Sequence, residues 1–482
     1  MSLSKIAPQE IWKHFSFINS VPRPSKKEEK IIALIKKFGE DLGLDTRVDK
    51  VGNVIIKKRA KEGMENRKTI VLQSHLDMVC QKNNDTEFDF NTMGIQMEVA
   101  GDWVKAKGTT LGADNGIGVA AIMAILESKS IEHPPIEALF TIDEETGMTG
   151  ASYLEPNMLK GKILLNLDTE EDNEIGIGCA GGIDVTAKKS YKAHEKPLGE
   201  IFRIDVKGLR GGHSGMDIHK GFGNANVILA RILFSTSENN KIKLHSIEGG
   251  GLRNAIPRES TALISVEDTE EFLTIYKVRS QEILTEFSST EKDLSIEIQK
   301  ASTEGNFLSI KDSETIINTL KALKNGVYKV SSEVEGLVET SNNVARILLE
   351  EGNLEIQCLA RSSVESSKSD ICDQLKSVFS LADINVEFSG SYPGWKPNPE
   401  SKIIKIMEKV YEKKYGKKPL VMACHAGLEC GIIGAHYPEM EMVSFGPTIK
   451  GAHSPEERVS ILSVQKFWEY LKEILRQIPL EE

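Results

Sequence analysis

The chain has 482 residues, 40% of them hydrophobic and 27% charged, with a formal net charge of −11. That length exceeds what one hydrophobic core usually serves, so more than one domain is expected, and no basic stretch is dense enough to track nucleic acid. No apolar run approaches the roughly 20 residues that span a bilayer. The opening MSLSKIAPQEIWKHF has no signal-peptide core, and the six cysteines are scattered without a CxxC pair, as expected of free thiols in a cytoplasmic protein.

In chain order, the pattern predicts a helix over 11–20, a loop through VPRPS and an amphipathic helix over 26–43. Strands follow at NVIIKK and TIVLQS. A glycine-rich loop then opens a buried helix, GADNGIGVAAIMAILES. It lacks the GKS, GKT or GxGxxG of a phosphate-binding loop, and its small residues suit close packing instead. The strand ALFTI, a glycine-rich turn, a short helix and the strand KILLNLD complete this part.

Beyond about residue 185 the style changes. Strands at IFRIDVKGL, TALISVED, LSIEIQKAS, VARILLE, LEIQCLARS and INVEFSGS interleave with four helices, as two successive α+β units would. The stretch SYPGWKPNPE has linker composition. After it, a helix (401–416) and the strand MEMVSFGP return to the α/β style of the start. The expected architecture is therefore an α/β domain, 1–185 and 390–482, with a mostly parallel mixed sheet flanked by helices. An α+β domain of two units, 186–389, is inserted into it.

Five potential metal ligands follow short apolar runs: His75, Asp114, the acids Glu144 and Glu145 taken together, Asp168, and the distant His453. In open α/β sheets, ligands bind beyond the carboxyl ends of the strands. One sheet edge would then gather two imidazoles and at least three carboxylates, the raw material of a two-metal hydrolytic site. In SHLDMV, His75 and Asp77 are two residues apart and project to one side of an extended backbone. Asp77 can thus take the second imidazole N–H and fix the tautomer of a ligating His75. In DEETG, Glu145 can ligate metal while Glu144 stays free as a general base for the attacking water. CHAGLEC fits no common structural zinc spacing.

The motifs SHLDMV, LGADNGIG, DEETGM, NLDTE, RGGHSG and GAHSPEE, in this order, closely resemble the co-catalytic zinc peptidases that include the aminoacylases and the glutamate carboxypeptidase. HAGLECG and GLRNAIPRE look most like one branch, the bacterial aminoacyl-histidine dipeptidases. The resemblance implies that Asp114 bridges two divalent ions, with His75 and Asp168 completing one and Glu145 and His453 the other. Zn2+ is the expected metal, with Co2+ or Mn2+ as alternatives. It implies that Asp77 orients His75, that Glu144 is the base, and that the Asp114–Asn115 peptide is cis. The inserted domain resembles a lid: His213 would stabilise the oxyanion, and Asn254 and Arg361 would hold the substrate. A guanidinium suits bidentate capture of a dipeptide's C-terminal carboxylate. His425 and Glu429 would line the substrate pocket.

The implied activity is hydrolysis of Xaa-His and other unblocked dipeptides. One rival shares the metal site but cleaves another amide, as a tripeptidase, deacetylase or aminoacylase does. A second rival, a binding protein on the same fold without activity, should lack a ligand or the base, and this chain has them all. Small peptides are the expected partners, with neither nucleic acid nor membrane. In relatives with a single-unit lid a partner subunit supplies the lid histidine. The two-unit lid expected here lets His213 act within its own chain, which leaves monomer and homodimer both open.

Overall fold

Runs such as IVLQSH and IEALFT lack polar alternation because their strands are covered on both faces. In the computed structural model, which describes residues 3–481, every residue of Ile70–His75, Ile136–Thr141 and Ile163–Asn166 is buried. These strands and Glu441–Ser444 form the parallel centre of an eight-stranded mixed sheet. Its order is Asp45–Val48, Val54–Lys58, Ile136–Thr141, Ile70–His75, Ile163–Asn166, Glu441–Ser444, Glu174–Cys179, Leu420–Cys424, with antiparallel pairing at the Asp45–Lys58 side. A small antiparallel sheet joins Ile449–Lys450, Arg458–Ser460, Trp103–Ala106 and Met97–Ala100.

The helix Ala113–Glu127 is apolar all round and buried except at Asp114 and Glu127, as a helix sandwiched between a sheet and a second helix must be. It packs on Ile70–His75 and on the helix Gln9–Asn19. Gly118 permits this seat: a Cβ there would lie 2.9 Å from the Leu167 carbonyl oxygen and nearer still to Ser74 Oγ and Asn115 Oδ1. Gly118→Ala should therefore lower stability by about 1–3 kcal/mol, the usual cost of overpacking, measured as a shift in the urea midpoint at unchanged slope.

These elements belong to one compact unit, the described parts of Met1–Gly178, Pro397–Ala423 and Leu428–Glu482. The second unit is Cys179–Lys396 with Cys424–Gly427. The composition shifts near 185 and 390 fall inside the strands Gly181–Ser190 and Asn385–Tyr392, which pair with each other in the second unit. The excursion of residues 424–427 into that unit is marked by the Ala180 amide, which donates to the carbonyls of Cys424 and Ala426.

The two α+β stretches of the second unit share one continuous sheet. Ser295–Lys300, Glu200–Lys207, Ser260–Val266 and Ile242–Gly250 form one half; Val338–Glu350, Asn353–Ser362, Gly181–Ser190 and Asn385–Tyr392 form the other. They join where Ile247–Gly250 pairs with Arg346–Leu349, and Gly326–Val330 adds beside Val338–Glu350. One hydrophobic core runs beneath both halves, taking residues from the helices Ala225–Ser237, Thr269–Glu286, Ile310–Ala322 and Glu365–Leu381. The strands Gly181–Ser190 and Ile242–Gly250 escape sequence reading because two glycines open the first and two end the second, whose alternation is also broken by a register shift between Leu244 and Ser246. Among the described residues no helix is long and apolar enough to cross a membrane.

Candidate metal centre

Parallel register brings the predicted donors of the first unit to one edge. His75 lies opposite Thr141, and Gln73 opposite Asn166. Glu144, Glu145 and Asp168 therefore leave their strands beside His75. His75 Nε2 is 3.2 Å from Asp114 Oδ1 and 3.4 Å from Asp168 Oδ1. The other Asp114 oxygen, Oδ2, is 3.3 Å from His453 Nε2, which in turn lies 3.1 Å from Glu145 Oε2. Asp114 thus presents one oxygen to each imidazole. The Asp114–Asn115 peptide is cis, and the Asn115 side chain donates to the Leu167 carbonyl and to Asp168.

Asp77 is fully buried and organises the acids around it. Its Oδ1 is 3.4 Å from His75 Nδ1, and it accepts the Glu144 amide at 3.0 Å, the Glu145 amide at 3.2 Å and the Ser25 hydroxyl at 2.8 Å. Those two amides set the start of the short helix Glu144–Gly147. Asp143 precedes it at φ 52°, with the Thr146 and Thr149 hydroxyls on its carboxylate. Glu28, Asp77 and Asp143 also lie close together, but neighbouring amides and hydroxyls already occupy their carboxylates.

The electrostatics are those of a centre with too many acids for its bases. Burial, with Asp168, Glu429 and Glu145 adding to it, pushes Glu144 well above the carboxylate range. Burial raises Asp168 to about 6. Hydrogen bonds to Asp114 and Glu145 lift His453 to about 11. Burial works against Asp114, yet both histidines hold it low. Glu145 Oε1 is buried with no hydrogen-bond partner. Carboxylates raised by burial and an imidazole raised by carboxylates mark a place that suits cations, and the donor set of imidazoles and carboxylates fits a divalent metal. His75, Asp114 and Glu145 each offer an atom within 4.8 Å of the others'.

Glu429 opens the helix Glu429–His436 and is buried under the same edge. Gln73 Nε2 and the Thr141 hydroxyl donate to its Oε2 at 2.7 and 2.6 Å, while Oε1 has no partner. Burial lifts its carboxyl to about 8. Gln73 and Thr141 were not singled out in the sequence: both sit inside apolar runs and read there as strand filler.

The second unit gathers the other four candidates. Ser341 and Arg361 are cross-strand partners, and the Ser341 hydroxyl is 2.7 Å from His425 Nε2. Gly215 packs against the His425 carbonyl and the His213 ring, and the Ser214 amide donates to the Asn254 carbonyl. Burial, then the nearby Arg361 charge, lowers both imidazoles, His425 to about 3. His213 Nδ1 accepts the amides of Gly215 and Met216 at 3.2 and 3.0 Å. Its proton is therefore on Nε2, which makes that atom a donor. Arg361 is only 5% exposed; Nη1 donates to the Tyr392 hydroxyl, Nε has no partner, and among the described residues no carboxylate pairs with it.

A mixed α/β sheet whose carboxyl edge gathers histidines and carboxylates defines a class, the metal-dependent hydrolases. The profile of peptidase family M20/M25/M40 matches residues 71–477, and the chain belongs to that family. It is 45% identical to the cytosol non-specific dipeptidase of Escherichia coli (strain K12) over 480 residues, 99% of each chain. It superposes on the aminoacylhistidine dipeptidase of Vibrio alginolyticus with a TM-score of 0.95 and 46% identity, covering 100% of this chain and 99% of that one. An aminopeptidase of Bacillus cereus shares the fold at a TM-score of 0.58 and 17% identity, covering 98% of this chain and 99% of its own.

Proposed function

We propose that this chain is a cytosolic dipeptidase that hydrolyses unblocked dipeptides, Xaa-His among them, with two divalent cations, Zn2+ first among the candidates. The observation that carries the reading is the Asp114 carboxylate, with one oxygen facing His75 and the other facing His453. We assign His75, Asp114 and Asp168 to one cation and Asp114, Glu145 and His453 to the other. When bound, the cations supply Lewis acidity that polarises the scissile carbonyl and acidifies the attacking water.

The protein's own groups do the rest. Asp77 holds the His75 ring and, by accepting the amides of Glu144 and Glu145, fixes the backbone from which both acids project. Glu144 takes a proton from the water as its oxygen attacks the carbonyl carbon, then passes that proton to the leaving nitrogen as the C–N bond breaks. The second unit is assigned to the substrate as a lid. The Nε2–H of His213 donates to the carbonyl oxygen as it gains charge. Arg361 takes the C-terminal carboxylate, which supplies the anion its buried guanidinium lacks. Asn254 and His425 complete the substrate-holding group there, and Glu429 is assigned to the substrate from the first unit. The names of the Escherichia coli and Vibrio alginolyticus relatives support the dipeptide assignment.

The experiment is a panel of free dipeptides, their N-acetyl and C-terminal amide derivatives, and tripeptides, with metal content measured on the same sample. Free dipeptides should dominate; preferential hydrolysis of N-acetyl amino acids or tripeptides would move the protein to another amidohydrolase class. Arg361→Ala should lower kcat/KM on free dipeptides by about 10²–10³-fold, as loss of a buried charge-pair partner does. It should also abolish the discrimination between free and amidated C-termini.

A further inference from the structure

His453 sits on an exposed turn, its side chain 55% accessible and its backbone at φ 62°. Within the turn, the Ser454 hydroxyl donates to the Gly451 carbonyl and the Glu457 amide donates to the Ser454 carbonyl. Neither bond ties the turn to the loop bearing Asp114. Glu457 makes that tie. Its carboxylate, 2% exposed, accepts the amides of Leu111 at 2.7 Å, Gly112 at 2.9 Å, Ala113 at 2.7 Å and Asp114 at 3.3 Å. Arg23 takes the other side of the loop, donating to the Gly112 carbonyl and to those of Leu76 and Asp77. An anion on its amides and a cation on its carbonyl hold the loop from two sides. Each also links it to a segment bearing a candidate histidine, His453 four residues before Glu457 and His75 just ahead of Leu76.

We propose that Glu457 is a positioning residue that fixes Asp114 against His453, and so sets the affinity of the cation assigned to Asp114, Glu145 and His453. This rests on the two-cation reading above. The carboxylate suits the task because both oxygens only accept, and four amides converge on them. A glutamine would turn an N–H₂ toward two of those amides, and an aspartate would fall one methylene short.

The test is titration of the metal-free full-length chain with Zn2+ or Co2+, read by isothermal titration calorimetry and the Co2+ visible spectrum. It compares wild type, Glu457→Gln and Glu457→Asp, alongside kcat and KM. Disturbance of a residue that orients a metal ligand costs about 10–100-fold in affinity or activity. Because Asp114 serves both cations, Glu457→Gln should weaken both binding events, the one that also uses His453 by about that factor and the other by less. kcat should fall while KM holds, and excess metal should restore much of it. If Glu457→Gln does not fold, Glu457→Asp carries the same comparison. Two unchanged affinities in a folded variant overturn the proposal, as does loss of fold in both variants, which would make Glu457 a general structural residue. Wild type binding one equivalent instead would overturn the two-cation reading and this inference with it, a result separable from the others.

Discussion

Glu144→Gln should lower kcat by about 10²–10⁴-fold, the usual contribution of a positioned general base, with bound metal and thermal stability unchanged. Glu144 is held by its backbone: its amide is on Asp77 Oδ1 at 3.0 Å, and among the described residues none donates to its carboxylate. The glutamine side chain is the same size, so the short helix and the Glu145 amide bond to Asp77 need not move. What disappears is a carboxylate that burial and neighbouring acids push well above its ordinary range, toward greater affinity for a proton. The measurements are steady-state kinetics and metal analysis on one preparation. A variant that retains wild-type turnover removes Glu144 from the mechanism. One that loses metal along with activity makes it a ligand instead.

Asp114→Ala should reach further, because a single carboxylate faces both histidines. Altering a group that merely orients a ligand costs about 10–100-fold in metal affinity, so deleting a shared donor should cost at least about 10²-fold for both cations. Turnover should fall below detection at ordinary metal concentrations. His453→Ala, touching one side of the pair, should affect one binding event and spare the other. Equilibrium dialysis with Zn2+ on the three proteins separates the cases. Equal, small losses in both variants would argue against a shared carboxylate.

Much of this centre is legible in the sequence because strand direction is. Apolar runs of strand length predict buried parallel strands, and the polar residue ending each run must then emerge at a common edge. His75, Glu144, Glu145 and Asp168 follow that rule. Asp114 and His453 do not sit at strand ends: one opens a helix and the other tops a turn. The apolar runs ahead of both predict strand ends that the structure does not form there, and motif resemblance supplies their separate ligand roles. Arg23 and Glu457 were overlooked because they act on backbone groups, and no side-chain spacing announces which amides a distant carboxylate will meet. Glu457 is more than 340 residues from the amides it accepts. The two glutamates of DEETG look alike in sequence, and their different surroundings come from distant residues: Glu145 lies 3.1 Å from His453, while Asp168 and Glu429 bear on the buried Glu144.

The sequence by itself determined the chemistry on offer and the order of its parts: which residue types stand at which strand ends, the change of style near 185, and the late return to α/β pattern. Those are local properties, set by periodicity and by what each side chain can donate or bind. Only the tertiary structure decided the rest. It showed that the two α+β stretches form one sheet, that residues 424–427 join the second unit while Glu429 stays in the first, and that each Asp114 oxygen meets a different imidazole. These outcomes depend on long-range pairings among backbone groups, which nearly every residue carries alike and which local sequence therefore cannot rank.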